Sequence, residues 1–296
     1  MAKPLIPTLL VALLLGACVR ETTLDVDLPD AEPYLVVESY LIAGEPYRVS
    51  LTRSLDFFNL PDSLPTVTDA QVRIRHAGDT IPLSFSPAGD PQNYYLLGEY
   101  RNQQEVPASY NEPFFLEVDW RGTRYTAQCQ MLPPITQIDT ANFFNDQGDV
   151  NIRMEWQDPD RSRINYYRAL FDYGNPDGAD EDGDGDQDEP MNVADESNDE
   201  VFEDLSEGPL RFTLTGFLED DAGDTLDFTL THVEQAYIDY INTTEAGNNE
   251  NSSPFSEPTS IISNVSTQDE DARVLGIFSA YDPVRRRYII PAPPGP

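Results

Sequence analysis

The segment Phe114-Phe115-Leu116-Glu117-Val118-Asp119-Trp120-Arg121-Gly122-Thr123-Arg124-Tyr125-Thr126-Ala127-Gln128-Cys129-Gln130-Met131 alternates apolar and polar side chains on both sides of one Arg121-Gly122 break. Phe114, Leu116, Val118 and Trp120 share one parity. Tyr125, Ala127, Cys129 and Met131 share another, opposite Arg124, Thr126, Gln128 and Gln130. Successive side chains of a strand point to opposite faces, so the segment reads as two half-buried strands joined by a turn. Cys129 then points inward, as a packed thiol rather than a nucleophile.

The same period extends outward. Val72 and Ile74 alternate with Arg73 and Arg75, Ala77-Gly78-Asp79 turns the chain, and Ile81, Leu83 and Phe85 return as the second arm of a hairpin. Tyr34–Ile42 is rich in β-formers, Tyr47, Val49 and Leu51 alternate with Arg48, Ser50 and Thr52, and Tyr94–Tyr100 supplies a further strand. Strands this closely spaced, with no helical period between them, predict an antiparallel sandwich over 33–133. Leu132-Pro133-Pro134 marks its end, because proline has no N–H to give a sheet.

The second half repeats the style. Val150, Ile152, Met154 and Trp156 alternate with polar neighbours, and Asn165–Tyr173 forms the next strand. Phe212 and Leu214 lead through Asp220–Asp224 to Leu226, Phe228 and Leu230, and Ala222-Gly223-Asp224-Thr225-Leu226 echoes Ala77-Gly78-Asp79-Thr80-Ile81. Two copies of one hairpin would produce the echo, as would shared turn chemistry. Thr231 and Glu234 have capping-box spacing ahead of a stripe of Val233, Tyr237, Tyr240, Ala236 and Ile241, which predicts one helix packed on the second sheet and ended near Gly247. Arg273–Tyr281 and Tyr288–Ile290 read as closing strands. The expected class is therefore mainly β: two tandem antiparallel β-sandwich (immunoglobulin-like) domains, 33–133 and 134–290, the second with one short helix, an acidic insertion at 174–208 and a Pro-rich tail at 291–296.

Ahead of the first strand, Met1-Ala2-Lys3 is followed by an apolar run from Leu5 to Leu15, the length of a signal peptide and too short for a spanning helix. Leu15-Gly16-Ala17-Cys18 looks like a bacterial lipobox. Residues 1–17 are then the signal, Cys18 is the lipid-attachment site, and 18–32 is a tether. Two or three acyl chains, each contributing about 0.8 kcal/mol per buried methylene, would hold the protein on a membrane that it does not cross. With Cys18 so committed, Cys129 has no partner for an internal disulfide.

The formal net charge is -35, and Lys3 is the only lysine. An acidic, lysine-free surface suits concentrated salt, which screens the self-repulsion of like charges; a shift from lysine to arginine through base composition would leave the same trace. Either origin excludes nucleic acid and anionic headgroups as partners, since both need a basic face.

The lipobox, Tyr34-Leu35-Val36-Val37-Glu38-Ser39-Tyr40, Tyr125-Thr126-Ala127 before Leu132-Pro133-Pro134, Asn165-Tyr166-Tyr167-Arg168, Ser253-Pro254-Phe255-Ser256-Glu257-Pro258 and Gly276-Ile277-Phe278-Ser279-Ala280-Tyr281 together resemble the domain-of-unknown-function 4249 family of Bacteroidota lipoproteins. That family has no established activity. The resemblance implies an envelope lipoprotein of the outer membrane, encoded near TonB-dependent receptors and accessory to uptake.

Three features are candidates for chemistry. From Asp172 to Glu207 the chain carries sixteen acidic residues and no arginine. Within them, Asp180, Asp182, Asp184, Asp186 and Asp188 with Gly185 match the front of an EF-hand-type loop, although Met191 stands where a bidentate Glu is expected. Ca2+ is thus the one cofactor to consider, against a solvated, disordered insertion. Arg285 and Arg287 share a strand face in a local basic island, fit either to pair with the protein's own carboxylates or to dock an acidic partner. Phe57-Phe58 and Tyr94-Tyr95 are either core or an aromatic ligand platform. His76 and His232 have no neighbour at metal-ligand spacing and read as surface or capping residues.

The expected function is that of a non-enzymatic accessory or ligand-binding subunit with a TonB-dependent transporter, on either face of the outer membrane. A calcium-stabilised adhesive module is the second reading and a carbohydrate-active enzyme the third.

Overall fold

Both turns expected from the alternation have left-handed backbone at their two central residues: Ala77 and Gly78 at φ 52 and 86°, Arg121 and Gly122 at φ 49 and 86°. Two-residue turns of this kind match the right-handed twist of the strands that they join. The computed structural model describes residues 34–54, 65–87, 98–144, 150–158, 164–174, 199–203, 209–217, 223, 225–250 and 260–292.

Its strands are β1 (Leu35–Ile42), β2 (Pro46–Arg53), β3 (Gln71–His76), β4 (Asp79–Ser86), β5 (Glu99–Glu105), β6 (Phe114–Trp120), β7 (Thr123–Cys129), β8 (Ile138–Phe144), β9 (Val150–Trp156), β10 (Tyr166–Gly174), β11 (Asp199–Glu203), β12 (Leu210–Phe217), β13 (Thr225–Val233), β14 (Ser266–Thr267), β15 (Val274–Tyr281) and β16 (Val284–Ile289), with one helix, α1 (Gln235–Glu250), after β13. No helix among the described residues is long and apolar enough to cross a membrane.

Three sheets result. The largest runs β14-β7-β6-β3-β4-β5-β2-β1-β15, a second runs β11-β10-β13-β16, and a third runs β12-β9-β8. The inward parity of the large sheet, including Val37, Leu51, Ile74, Leu116 and Phe278, packs into one core. Between the two smaller sheets, Ile152, Met154 and Trp156 of β9 meet Tyr167 and Ala169 of β10 and Leu226, Phe228 and Leu230 of β13 in a second core. Side chains from facing sheets share one interior there, which is a sandwich arrangement. The chain is mainly β with a single helix among the described residues.

Strand membership departs from the sequence reading in several places. β15, expected to close the second half, pairs in parallel with β1, from Leu35 opposite Val274 to Ile42 opposite Tyr281. Gly276 is what allows it: its φ is +137°, and a Cβ there would lie 1.8 Å from the Val37 carbonyl oxygen. The far side of β15 is also satisfied, because Asn264 Nδ2 donates to the Phe278 carbonyl while Phe278 N–H donates to Asn264 Oδ1.

The second copy of the hairpin is not one. β12 pairs with β9, whereas β13 pairs with β10 and β16, so the two strands belong to facing sheets. Alternation shows that both strands bury one face and is silent on which sheet each joins. Part of the acidic insertion, 199–203, is itself the edge strand β11 beside β10. Thr231 and His232 belong to β13 and not to a helix cap, and α1 follows Glu234, whose carbonyl accepts the Tyr237 N–H. The helix packs Tyr237 and Ile238 against Tyr40, Tyr166 and Tyr281, so it rests where β1 and β15 meet β10 rather than on the second sheet alone.

Candidate functional site

β13 buries Leu226, Phe228 and Leu230 in the second core, which leaves Asp227, Thr229 and Thr231 on the opposite face of its sheet. Residues directly opposite in an antiparallel pair share a face. Arg168 is opposite Thr231 and Leu170 opposite Thr229 on one side, and on the other Arg285 is opposite Thr229 and Arg287 opposite Asp227. Ile42 at the end of β1, Tyr237 of α1, and Tyr281 with Pro283 at the β15–β16 corner wall this face into a cleft of about 700 Å3.

Among the described residues of its lining are Asp227 and four arginines, of which Arg168, Arg285 and Arg287 share this face, whereas Arg286 is opposite Phe228 and turns its side chain to the other. Each has a defined neighbour. Arg287 binds Asp227 through two hydrogen bonds of 2.8 and 2.7 Å, and this guanidinium holds the Asp227 carboxyl below its ordinary value. Arg286 Nη2 donates to the Thr136 carbonyl at 3.3 Å, and Arg168 Nη1 donates to the Tyr237 hydroxyl at 2.5 Å. Arg285 faces Glu45 at 3.7 Å, an ion pair beyond hydrogen-bond distance.

Tyr281 lines the cleft together with Arg168 and Arg285. Burial pushes its hydroxyl above the ordinary value and Glu45 adds to that, while Arg168 and Arg285 both pull it down. Both guanidinium groups therefore act on one neutral phenol. Guanidinium, threonine hydroxyl and protonated phenol are donors that keep their protonation state around neutral pH, which suits the set to holding an anion rather than to exchanging protons with one.

The basic island of the sequence thus divides. Arg285 and Arg287 both line the cleft; Arg287 is paired with the protein's own Asp227, and Arg285 is the more loosely held. Sequence reasoning missed Arg168, Thr229, Thr231, Tyr237 and Tyr281. The outward parity of Arg168 between Tyr167 and Ala169 was a usable signal, but its meeting with β16 depends on a register set by β13. Cys18, Asp180, Asp182, Asp184, Asp186, Asp188, Phe57-Phe58 and Tyr94-Tyr95 lie outside the described residues. Among the described residues, no three His, Cys, Asp or Glu side chains are grouped to hold a metal ion.

Both histidines are interior rather than surface or capping residues. His76 stacks on Phe114 at 3.9 Å between ring centroids. His232 stacks on Tyr167 at 4.9 Å, places Nδ1 2.9 Å from the Pro133 carbonyl, and faces Asn165 Oδ1 with Nε2 at 3.2 Å. His232 thereby fastens the proline connection between the halves. Cys129 is buried as expected, and burial, with Glu234 adding to it, raises its thiol well above the ordinary value, so it is an inert thiol.

The sequence model of a family described as "Domain of unknown function (DUF4249)" matches residues 21–287. No curated protein matches the chain. Among solved structures, a crystal structure of bovine butyrophilin is similar at a TM-score of 0.20 and 9% identity, over 66% of this chain and 91% of that one.

Proposed function

We propose, from the premise that the chain belongs to the domain-of-unknown-function 4249 family, that it is a binding subunit of the cell envelope, held at the outer membrane by lipid on Cys18 and accessory to a TonB-dependent receptor. The observation that carries the binding reading is the cleft: about 700 Å3, walled by three elements, with Arg168, Arg285 and Arg287 on its face in a chain of net charge -35. Its volume is that of a small-molecule site, and its polar groups bind charge without moving protons. The lipid anchor and the receptor rest on the lipobox and on the family resemblance.

The test is affinity purification of the tagged full chain from membranes solubilised in mild detergent at high salt, with mass spectrometry of what is retained. A stoichiometric outer-membrane receptor and a diacylated Cys18 are the expected outcome. Recovery of the chain alone, with a melting temperature that rises on adding Ca2+, overturns this reading in favour of a calcium-stabilised surface module.

A further inference from the structure

We propose that the cleft binds a small organic anion, with its carboxylate or phosphate group held between Arg168 and Arg285 over the hydroxyls of Thr229, Thr231 and Tyr281. The inference rests on the binding reading above and adds the chemical class of the ligand.

Placement is the first argument. Arg168 and Arg285 stand on β10 and β16, on either side of β13, and register sets both on the outer face of the sheet. Neighbouring strands are about 4.8 Å apart, so the two backbones are roughly 10 Å apart across the sheet, a gap that two arginine side chains reach over. Both residues line the same cleft, together with Tyr281.

The second argument is the contrast with Arg73 and Arg124. On the large sheet, Arg73 and Arg124 make hydrogen-bonded ion pairs of 2.6 to 2.7 Å with Glu117 and Asp119 on their own face. Arg285 stands instead at 3.7 Å from Glu45, with its side chain 63% exposed at the cleft. A cation placed in a cleft without a hydrogen-bonded carboxylate among the described residues is available to an incoming one, which would form the shorter, charge-assisted bonds that Glu45 does not.

The overall charge gives a third. A chain of -35 repels anions at long range, so attraction must come from groups in contact, and salt that screens the repulsion leaves such contacts less affected. Ile42, Leu170 and Pro283 supply apolar wall for the uncharged part of the ligand. A macromolecular polyanion does not fit a walled cleft of this volume as well as a small molecule does.

The experiment is calorimetric titration of the detergent-solubilised full chain, at constant high ionic strength, with citrate, glucuronate and inorganic phosphate, and with glucose as the uncharged control. Saturable binding of at least one anion and none of glucose is expected, and the preferred probe separates a carboxylate from a phosphate site. Arg285→Ala should weaken that binding at least about tenfold. Arg285→Lys should restore it only in part, because the planar fork is lost while the charge remains. Arg75→Ala, on the large sheet, should leave it unchanged, and matched melting temperatures would show that the variants are folded.

Absence of saturation by any of the three anions up to about 10 mM overturns the inference. So does anion binding that Arg285→Ala and Arg168→Ala leave intact. A receptor that co-purifies with a chain that binds no anion refutes the ligand class and keeps the binding-subunit reading; anion binding without a receptor does the reverse.

Discussion

Gly276 decides by one missing methyl whether β1 and β15 can meet. At φ +137° the position excludes L side chains on backbone grounds, and a Cβ would also stand 2.7 Å from the Val37 carbonyl carbon. Gly276→Ala should therefore cost at least ~3 kcal/mol, read as a lower urea midpoint with the slope unchanged. A midpoint within error of the native one would show that the parallel pairing does not form as described. His232 illustrates another single-residue constraint. It is buried, and its two ring nitrogens face the Pro133 carbonyl and Asn165 Oδ1, while Asn165 Nδ2 donates to Asp158 Oδ2 at 2.8 Å. Sequence showed only a histidine after Thr231; what it touches comes from residues 99 and 67 positions away.

The outer faces of β3, β6 and β7 carry a linked set of charges at cross-strand positions: Arg73 with Glu117 and Asp119, Arg75 with Glu117, and Arg124 with Asp119. Arg73 chiefly lowers Glu117, and Arg124 chiefly lowers Asp119, each through a side-chain hydrogen bond. Both folded values lie below the ordinary 4.5 and 3.8, so the stabilisation is fully present above those values and is lost as pH falls through the depressed ones. Glu234 has the opposite sign: burial raises it despite the Gln130 N–H bond, so stability is gained as pH falls through its folded value. Denaturation between pH 6 and pH 3 should thus show a shallow rise followed by a fall. Glu117→Gln should reduce that acid loss by roughly 1 kcal/mol after allowing for solvent screening, and an unchanged acid limb would remove these pairs from the account. At this scale the strands themselves were legible, because alternation marks each half-buried element. Their partners were not: β12 and β13 carry the same pattern yet lie in facing sheets, and β15, read as a closing strand of the second half, pairs with β1 of the first. The cleft shares that limit. Arg285 and Arg287 stood out as a basic island, whereas Arg168, Thr229 and Tyr281 reach it through registers that no local pattern encodes.

Across the whole molecule, self-repulsion among charges summing to -35 opposes compaction at low ionic strength. Raising NaCl from about 0.1 M to about 1 M shortens screening from about 10 Å to about 3 Å, so the melting temperature should rise by about 5 °C or more. Scanning fluorimetry across a salt series checks this, and a flat or falling series would separate the acidic composition from salt adaptation. The large sheet, for its part, is assembled from both ends of the described chain: Arg273 Nη1 even donates to the Tyr34 hydroxyl 239 residues away. During translation, β1 leaves the ribosome among the first strands and β15 among the last. A nascent chain therefore cannot complete this sheet until nearly all of it has been synthesised, and a polypeptide terminated before Val274 would release β1 with one edge of backbone donors and acceptors unmatched and open to pairing with a second truncated copy.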